Sequence, residues 1–147
     1  MHALAMAYDQ NKKWEKSDQL YIDLIARNTK DAQAYNNYAY SLVERNEEID
    51  YALTLAEKAI QLSPKTSAYL DTVGWIYFKL GNFEKAKEFI AQSIVYDDSS
   101  AVVLEHYGDV LIALEERDEA LIFYKKALEL DQDNNTLSEK ISSYENQ

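Results

Sequence analysis

Apolar residues along this chain fall at spacings of three and four. Leu70, Val73, Tyr77 and Leu80 form one such series, and Phe83, Ala86, Ile90 and Ile94 form the next. That spacing puts each series on one face of an α-helix. The short stretch Leu80-Gly81-Asn82 separates them. The same alternation of helical run and polar break recurs along the sequence, with breaks at Gln10–Lys13, Arg45–Asp50 and Glu115–Asp118. The pattern predicts antiparallel helix pairs. One pair cannot bury its apolar side alone, so successive pairs must stack.

The pairs are copies of one another. Shifting Leu70, Val73, Gly74, Tyr77, Ala86, Ile90 and Ser93 forward by 34 residues gives Leu104, Tyr107, Gly108, Leu111, Ala120, Tyr124 and Ala127. A backward step of 35 gives Tyr35, Tyr38, Ala39 and Leu42, followed by Ala52, Ala56, Ala59 and Leu62. One extra residue therefore sits in the turn Asn46–Asp50, where a surface connection tolerates it. A further step back gives Leu4, Ala5 and Tyr8, then Trp14, Ser17, Tyr21 and Leu24, in a unit that begins about three residues late. Ala5, Ala39, Gly74 and Gly108, with Ala52, Ala86 and Ala120 opposite, mark where the helices of a pair approach closely. Most of the twelve tyrosines are expected to fill space between helices.

These slots resemble the tetratricopeptide repeat (TPR), in a bacterial style of array. The W-x2-L-G-x2-Y…A-x3-F…P pattern is approximated by Leu70-Val73-Gly74-Tyr77…Ala86-Ile90…Asp98 and by Leu104-Tyr107-Gly108-Leu111…Ala120-Tyr124…Gln132. Pro64 holds the pattern's last slot in the second unit. The departures are Ser17, where alanine is usual, and three units that end without proline. The resemblance implies an all-α fold: helix-turn-helix repeats stacked as a right-handed superhelix, an α-solenoid whose first helices line a concave face. It is read as a single TPR domain over 1–147, with repeats at about 1–31, 32–66, 67–100 and 101–134. The cap-rich Asp131-Gln132-Asp133-Asn134-Asn135 and the apolar Leu137, Ile141 and Tyr144 predict a C-terminal capping helix at about 135–145. The N-terminal repeat has no equivalent cap. The chain therefore reads as part of a longer array, or as one whose first helix docks on another molecule.

Composition narrows the functions. The formal net charge is −11, and there is no cysteine. Disulfide scaffolds and thiolate metal sites are excluded, and a nucleic-acid partner is not expected from so acidic a chain. No apolar run approaches the ~20 residues of a membrane span, so no direct membrane insertion is expected. No signal peptide is visible, since no Lys or Arg precedes the first apolar residues. The expectation is a soluble chain, cytoplasmic or periplasmic if bacterial.

The first-helix slots that face away from the pair partner are candidates for binding. They are His2, Met6, Asp9 and Gln10; Asn36, Asn37, Tyr40, Val43 and Glu44; Asp71, Thr72, Trp75, Phe78 and Lys79; and Glu105, His106, Asp109, Ile112 and Ala113. Tyr40, Val43, Trp75, Phe78 and Ile112 form an apolar strip, interrupted by Asp109. It reads either as a groove with aromatic anchors for a peptide or as packing between neighbouring first helices. The chosen binding set is Asn37, Tyr40, Val43, Asp71, Trp75, Phe78, Glu105, Asp109 and Ile112. Its acidic members favour a protein or peptide ligand with basic and apolar residues.

The carboxylate clamp of some TPR co-chaperones is not expected. Asn37 resembles one of its members, but its basic slots fall at His2, Ala68 and Thr72. The competing reading is a structural spacer or self-association segment, with a homo-oligomer formed through the uncapped N-terminal repeat. No enzyme activity and no cofactor are expected. Glu105, His106 and Asp71 form no complete catalytic set, and His106 reads as a polar surface residue. Asp131, Asp133 and Asn135 imitate the start of a calcium loop, but Thr136 and Ser142 stand where its glycine and glutamate belong.

Overall fold

The computed structural model describes residues 1–147, which form nine α-helices. They are α1 (His2–Gln10), α2 (Trp14–Arg27), α3 (Ala32–Glu44), α4 (Ile49–Leu62), α5 (Ser67–Lys79), α6 (Phe83–Tyr96), α7 (Ala101–Ala113), α8 (Arg117–Leu130) and α9 (Asn135–Glu145). The first eight form four antiparallel pairs, and α9 packs on α8. The fold is an all-α repeat solenoid.

Local chemistry sets the helix ends. Asp31, Asn82, Ser100 and Asn134 each accept a hydrogen bond from a backbone N–H in the first turn of α3, α6, α7 and α9. Such caps satisfy donors that no helical carbonyl can reach. Each turn within a pair also places one residue in the left-handed region: Lys12, Asn46, Gly81 and Glu115, with φ of 57°, 58°, 80° and 63°. The next residue then bonds back five positions, as in Lys13 N–H to the Tyr8 carbonyl and Glu116 N–H to the Leu111 carbonyl, both at 2.8 Å. This closes the helix by a Schellman arrangement. Glycine is the residue that meets this φ without strain, yet the chain uses it only at Gly81. The α3–α4 connection has the extra residue, and Glu48 (φ 42°) is left-handed there as well.

The pairs close over small residues. Ala5, Ala39, Ala52, Ala86 and Ala120 are fully buried. Ser17 is also fully buried, and its hydroxyl donates to the Trp14 carbonyl at 3.0 Å, which is how a serine stands in an alanine slot. Neighbouring pairs join through large residues. Tyr21 of α2 stacks on Tyr38 of α3 at 5.5 Å, for example. Tyr77 and Phe78 pack against the apolar clusters of both halves, so one core runs the length of the array. Consecutive first helices also touch, in the order α1, α3, α5, α7.

Candidate functional site

A groove of about 240 Å³ crosses all four first helices. Met6 and Asp9 come from α1, Asn36, Asn37 and Tyr40 from α3, Asp71 and Thr72 from α5, and Val102 from α7. They converge because the repeat places equivalent turns of successive first helices side by side.

The polar groups of the groove are unevenly satisfied. Asp9 accepts a hydrogen bond from the Ser41 hydroxyl at 2.5 Å. Burial holds the Asp9 carboxyl above the ordinary carboxylate range, against the Ser41 bond and Arg45. Burial also pushes the Tyr40 phenol up to about 12, helped by Glu44 and Asp71. Asn36 is 7% exposed, and its Oδ1 has no hydrogen-bond partner. Asn37 Nδ2 is buried and unpartnered too. An orphan acceptor and an orphan donor therefore stand on consecutive residues of one groove wall. Such atoms cost free energy unless something completes them.

Asp71 closes the groove floor. Both of its carboxylate oxygens lie near His106 Nδ1, at 3.0 and 3.1 Å. The His106 ring stacks on Trp75 at 3.8 Å, and Trp75 stacks on Phe78 at 4.7 Å. One repeat further on, Lys140 donates to Glu105 at 2.8 Å and to Asp109 at 3.1 Å. Asp71–His106 and Glu105–Lys140 each span 35 residues, so they are the same inter-repeat contact made twice. Burial pulls the Lys140 ammonium down, but Glu105 and Asp109 outweigh it and hold it above the ordinary lysine range. The Tyr124 hydroxyl donates to Asp109 at 2.6 Å.

Several expectations change here. Asn37, Tyr40 and Asp71 do line the groove. Val43 does not: it is 1% exposed, in the core. Trp75 is 8% exposed, covered by Phe78 and His106. Phe78 is half-buried and bridges the two halves of the core. The apolar strip is thus largely spent on packing, because neighbouring first helices touch. Glu105 and Asp109 stand beside the groove, engaged by Lys140. Ile112 faces a separate acidic hollow with Glu115, Glu116, Asp118 and Glu119. His106 was expected at the surface and is buried instead. Asn134 caps α9 and donates through Nδ2 to Asp131 at 3.2 Å, so the calcium-like stretch serves a helix start.

Asn36, Met6, Asp9 and Thr72 occupy concave slots that the spacing predicts, outside the expected binding set, and they line the groove. Val102 was missed altogether. Its signal was present, since it lies 34 residues after Ala68, itself a groove residue.

Comparisons with known proteins agree with this architecture. A family model described as anaphase-promoting complex, cyclosome, subunit 3 matches residues 45–127. A TPR repeat-containing protein of Pseudomonas aeruginosa is 33% identical over 87 residues, covering 58% of this chain and 14% of that protein. A BBSome complex member of Bos taurus is 25% identical over 124 residues, covering 84% of this chain and 24% of its own length. The chain thus spans a quarter or less of these relatives. Among solved structures, a thermophilic TPR protein of Thermus thermophilus superposes with a TM-score of 0.84 at 21% identity, covering 97% of this chain and 78% of that one. YrrB, a TPR protein with an unusual peptide-binding site, superposes with a TM-score of 0.71 at 25% identity, covering 80% and 60%. No helix is long and apolar enough to cross a membrane. With more than half of its residues under the matched family model, the chain belongs to the family described as anaphase-promoting complex, cyclosome, subunit 3, and it is a tetratricopeptide-repeat protein.

Proposed function

We propose that the chain is a protein-interaction scaffold whose groove takes an extended peptide bearing basic and apolar side chains. The observation that carries this is the orphan pair Asn36 Oδ1 and Asn37 Nδ2 in the groove wall. A peptide group offers the complement, an N–H for the acceptor and a carbonyl for the donor. Asp9 and Asp71 lie on the same surface and favour a lysine or arginine. Met6, Tyr40 and Val102 supply apolar contact. The peptide-binding site of YrrB supports the same use of this fold.

Calorimetric titration with two synthetic peptides tests the reading. One alternates lysine with leucine, and the other replaces each lysine with glutamate. The lysine peptide is expected to bind, more weakly as salt rises, and the glutamate peptide is not. Asn37→Ala removes one charge-free hydrogen bond of about 1 kcal/mol, which weakens binding roughly fivefold. If both peptides bind alike, or if Asn37→Ala and Tyr40→Ala leave affinity unchanged, the groove is not the site.

A further inference from the structure

One contact between successive repeats is made twice and is missing once. Asp71 of α5 accepts from His106 Nδ1 of α7, and Glu105 of α7 accepts from Lys140 Nζ of α9. In both, an acidic side chain meets a nitrogen donor from the next repeat. His106 and Lys140 are 34 residues apart, and a further step back of 34 reaches Thr72. The acidic slot of Asp71 and Glu105 holds Asn36 in α3, one period of 35 earlier. Between α3 and α5 the contact is not made. Thr72 is short and gives its hydroxyl proton to the Ala68 carbonyl of its own helix, at 3.0 Å. Asn36 Oδ1 is left without a partner, in a residue only 7% exposed. The groove opens at this gap: Asn36, Asp71 and Thr72 all line it, and no lysine or arginine of the chain does.

We propose that a lysine of the bound peptide fills this gap, with its ammonium in the position that His106 and Lys140 take in the next repeats, and that the groove selects lysine over arginine. The proposal rests on the groove being the peptide site.

The selectivity comes from how the acceptors are arranged. A guanidinium pairs best with a carboxylate through two parallel N–H bonds, one to each oxygen. Neither acidic residue of the groove offers that edge. His106 Nδ1 lies 3.1 and 3.0 Å from the two Asp71 oxygens, across the edge that the fork would take. Asp9 Oδ1 is held by the Ser41 hydroxyl, which leaves Oδ2. What remains is a set of single acceptors on separate residues: Asn36 Oδ1, Asp9 Oδ2 and the outer lone pairs of Asp71. An ammonium has three diverging donors and no plane to satisfy, so it suits such a set. Lys140 shows this solution within the chain, since its Nζ takes one oxygen from Glu105 at 2.8 Å and one from Asp109 at 3.1 Å.

Calorimetry tests this with the lysine–leucine peptide and a counterpart in which every lysine is arginine. Their charges are equal, so general attraction to an acidic surface does not separate them. The lysine peptide is expected to bind about tenfold more tightly. Asn36→Leu removes the acceptor and keeps its approximate shape. It is expected to weaken the lysine peptide alone and to bring the two within about twofold of each other. Circular dichroism is expected to report unchanged helicity, because an apolar group replaces a buried orphan. The comparison on the unaltered chain needs no variant. Equal or tighter binding of the arginine peptide overturns the proposal, and so does a lysine preference that persists in Asn36→Leu. The groove reading survives either result if Tyr40→Ala still weakens both peptides. Binding of neither peptide, or binding that Tyr40→Ala leaves unchanged, overturns both.

Discussion

Position 108 has no room for a side chain. A Cβ built on Gly108 lands on the Tyr124 ring, closer than van der Waals contact allows. That ring has little freedom to yield, because its hydroxyl is bound to Asp109 at 2.6 Å and its face stacks on Tyr144 at 6.0 Å. At Gly74 the equivalent clash, at 2.5 Å, is with Cγ1 of Ile90, a fully buried β-branched side chain, and the Ala86 carbonyl follows at 3.1 Å. Gly108→Ala is therefore expected to cost about 1–3 kcal/mol, the usual range for overpacking. The urea midpoint reads that loss, and an unchanged midpoint would show that α7 and α8 move apart freely. Repeat spacing marked both glycines as points of close approach. It did not reveal that a buried tyrosine ring blocks one and a buried isoleucine the other.

At the scale of the element, α9 acts as the cap that spacing predicted. Leu137 and Ile141 are buried against the last pair, and Lys140 reaches Glu105 and Asp109 on α7. Each pair of an array contacts chiefly its neighbours, so the effect of losing the cap is local. Leu137→Ala is expected to cost about 2–5 kcal/mol. Amide exchange should accelerate in α8 and α9 and stay unchanged in α1 to α4. Uniform acceleration would mean that the array unfolds as one unit. The apolar stripe of α9 was readable from three- and four-residue spacing. The partners of Lys140 were not, because they depend on how α9 lies across α7. The Asp71–His106 pair was hidden for the same reason: only the stacking of α7 on α5 turns a surface-type histidine into a buried neighbour of Trp75.

For the whole molecule, the tyrosines govern behaviour at high pH. Burial raises the phenols of Tyr21, Tyr38, Tyr40, Tyr69, Tyr107 and Tyr124, and Tyr38 and Tyr40 reach about 12. In the unfolded chain these phenols lose their protons near pH 10. Between about 10 and 12 the folded state holds more protons than the unfolded one, so stability falls as pH rises. The contribution is complete below pH 10 and is lost through the folded-state values. Unfolding followed by circular dichroism is expected to begin just above pH 10, with phenolate absorbance rising in the same transition. Gradual tyrosine titration with helicity intact up to pH 12 would contradict this. A high tyrosine count suggested packing, and the structure shows which rings are buried: Tyr21, Tyr38, Tyr107 and Tyr124 are, while Tyr51 and Tyr96 lie exposed.

The sequence by itself determined the architecture. A repeat of 34 or 35 residues is a local property, because each helix needs only its own spacing and each pair only its neighbour. Helix number, pair order and the terminal cap followed from it. Tertiary structure alone decided which concave slots stay open. Tyr40 and Val43 share a helix and three-residue spacing, yet one lines the groove and the other lies in the core. The angle and separation between successive first helices make that choice, and those emerge from side chains 30 or more residues apart, such as Asp71 and His106, fitting together.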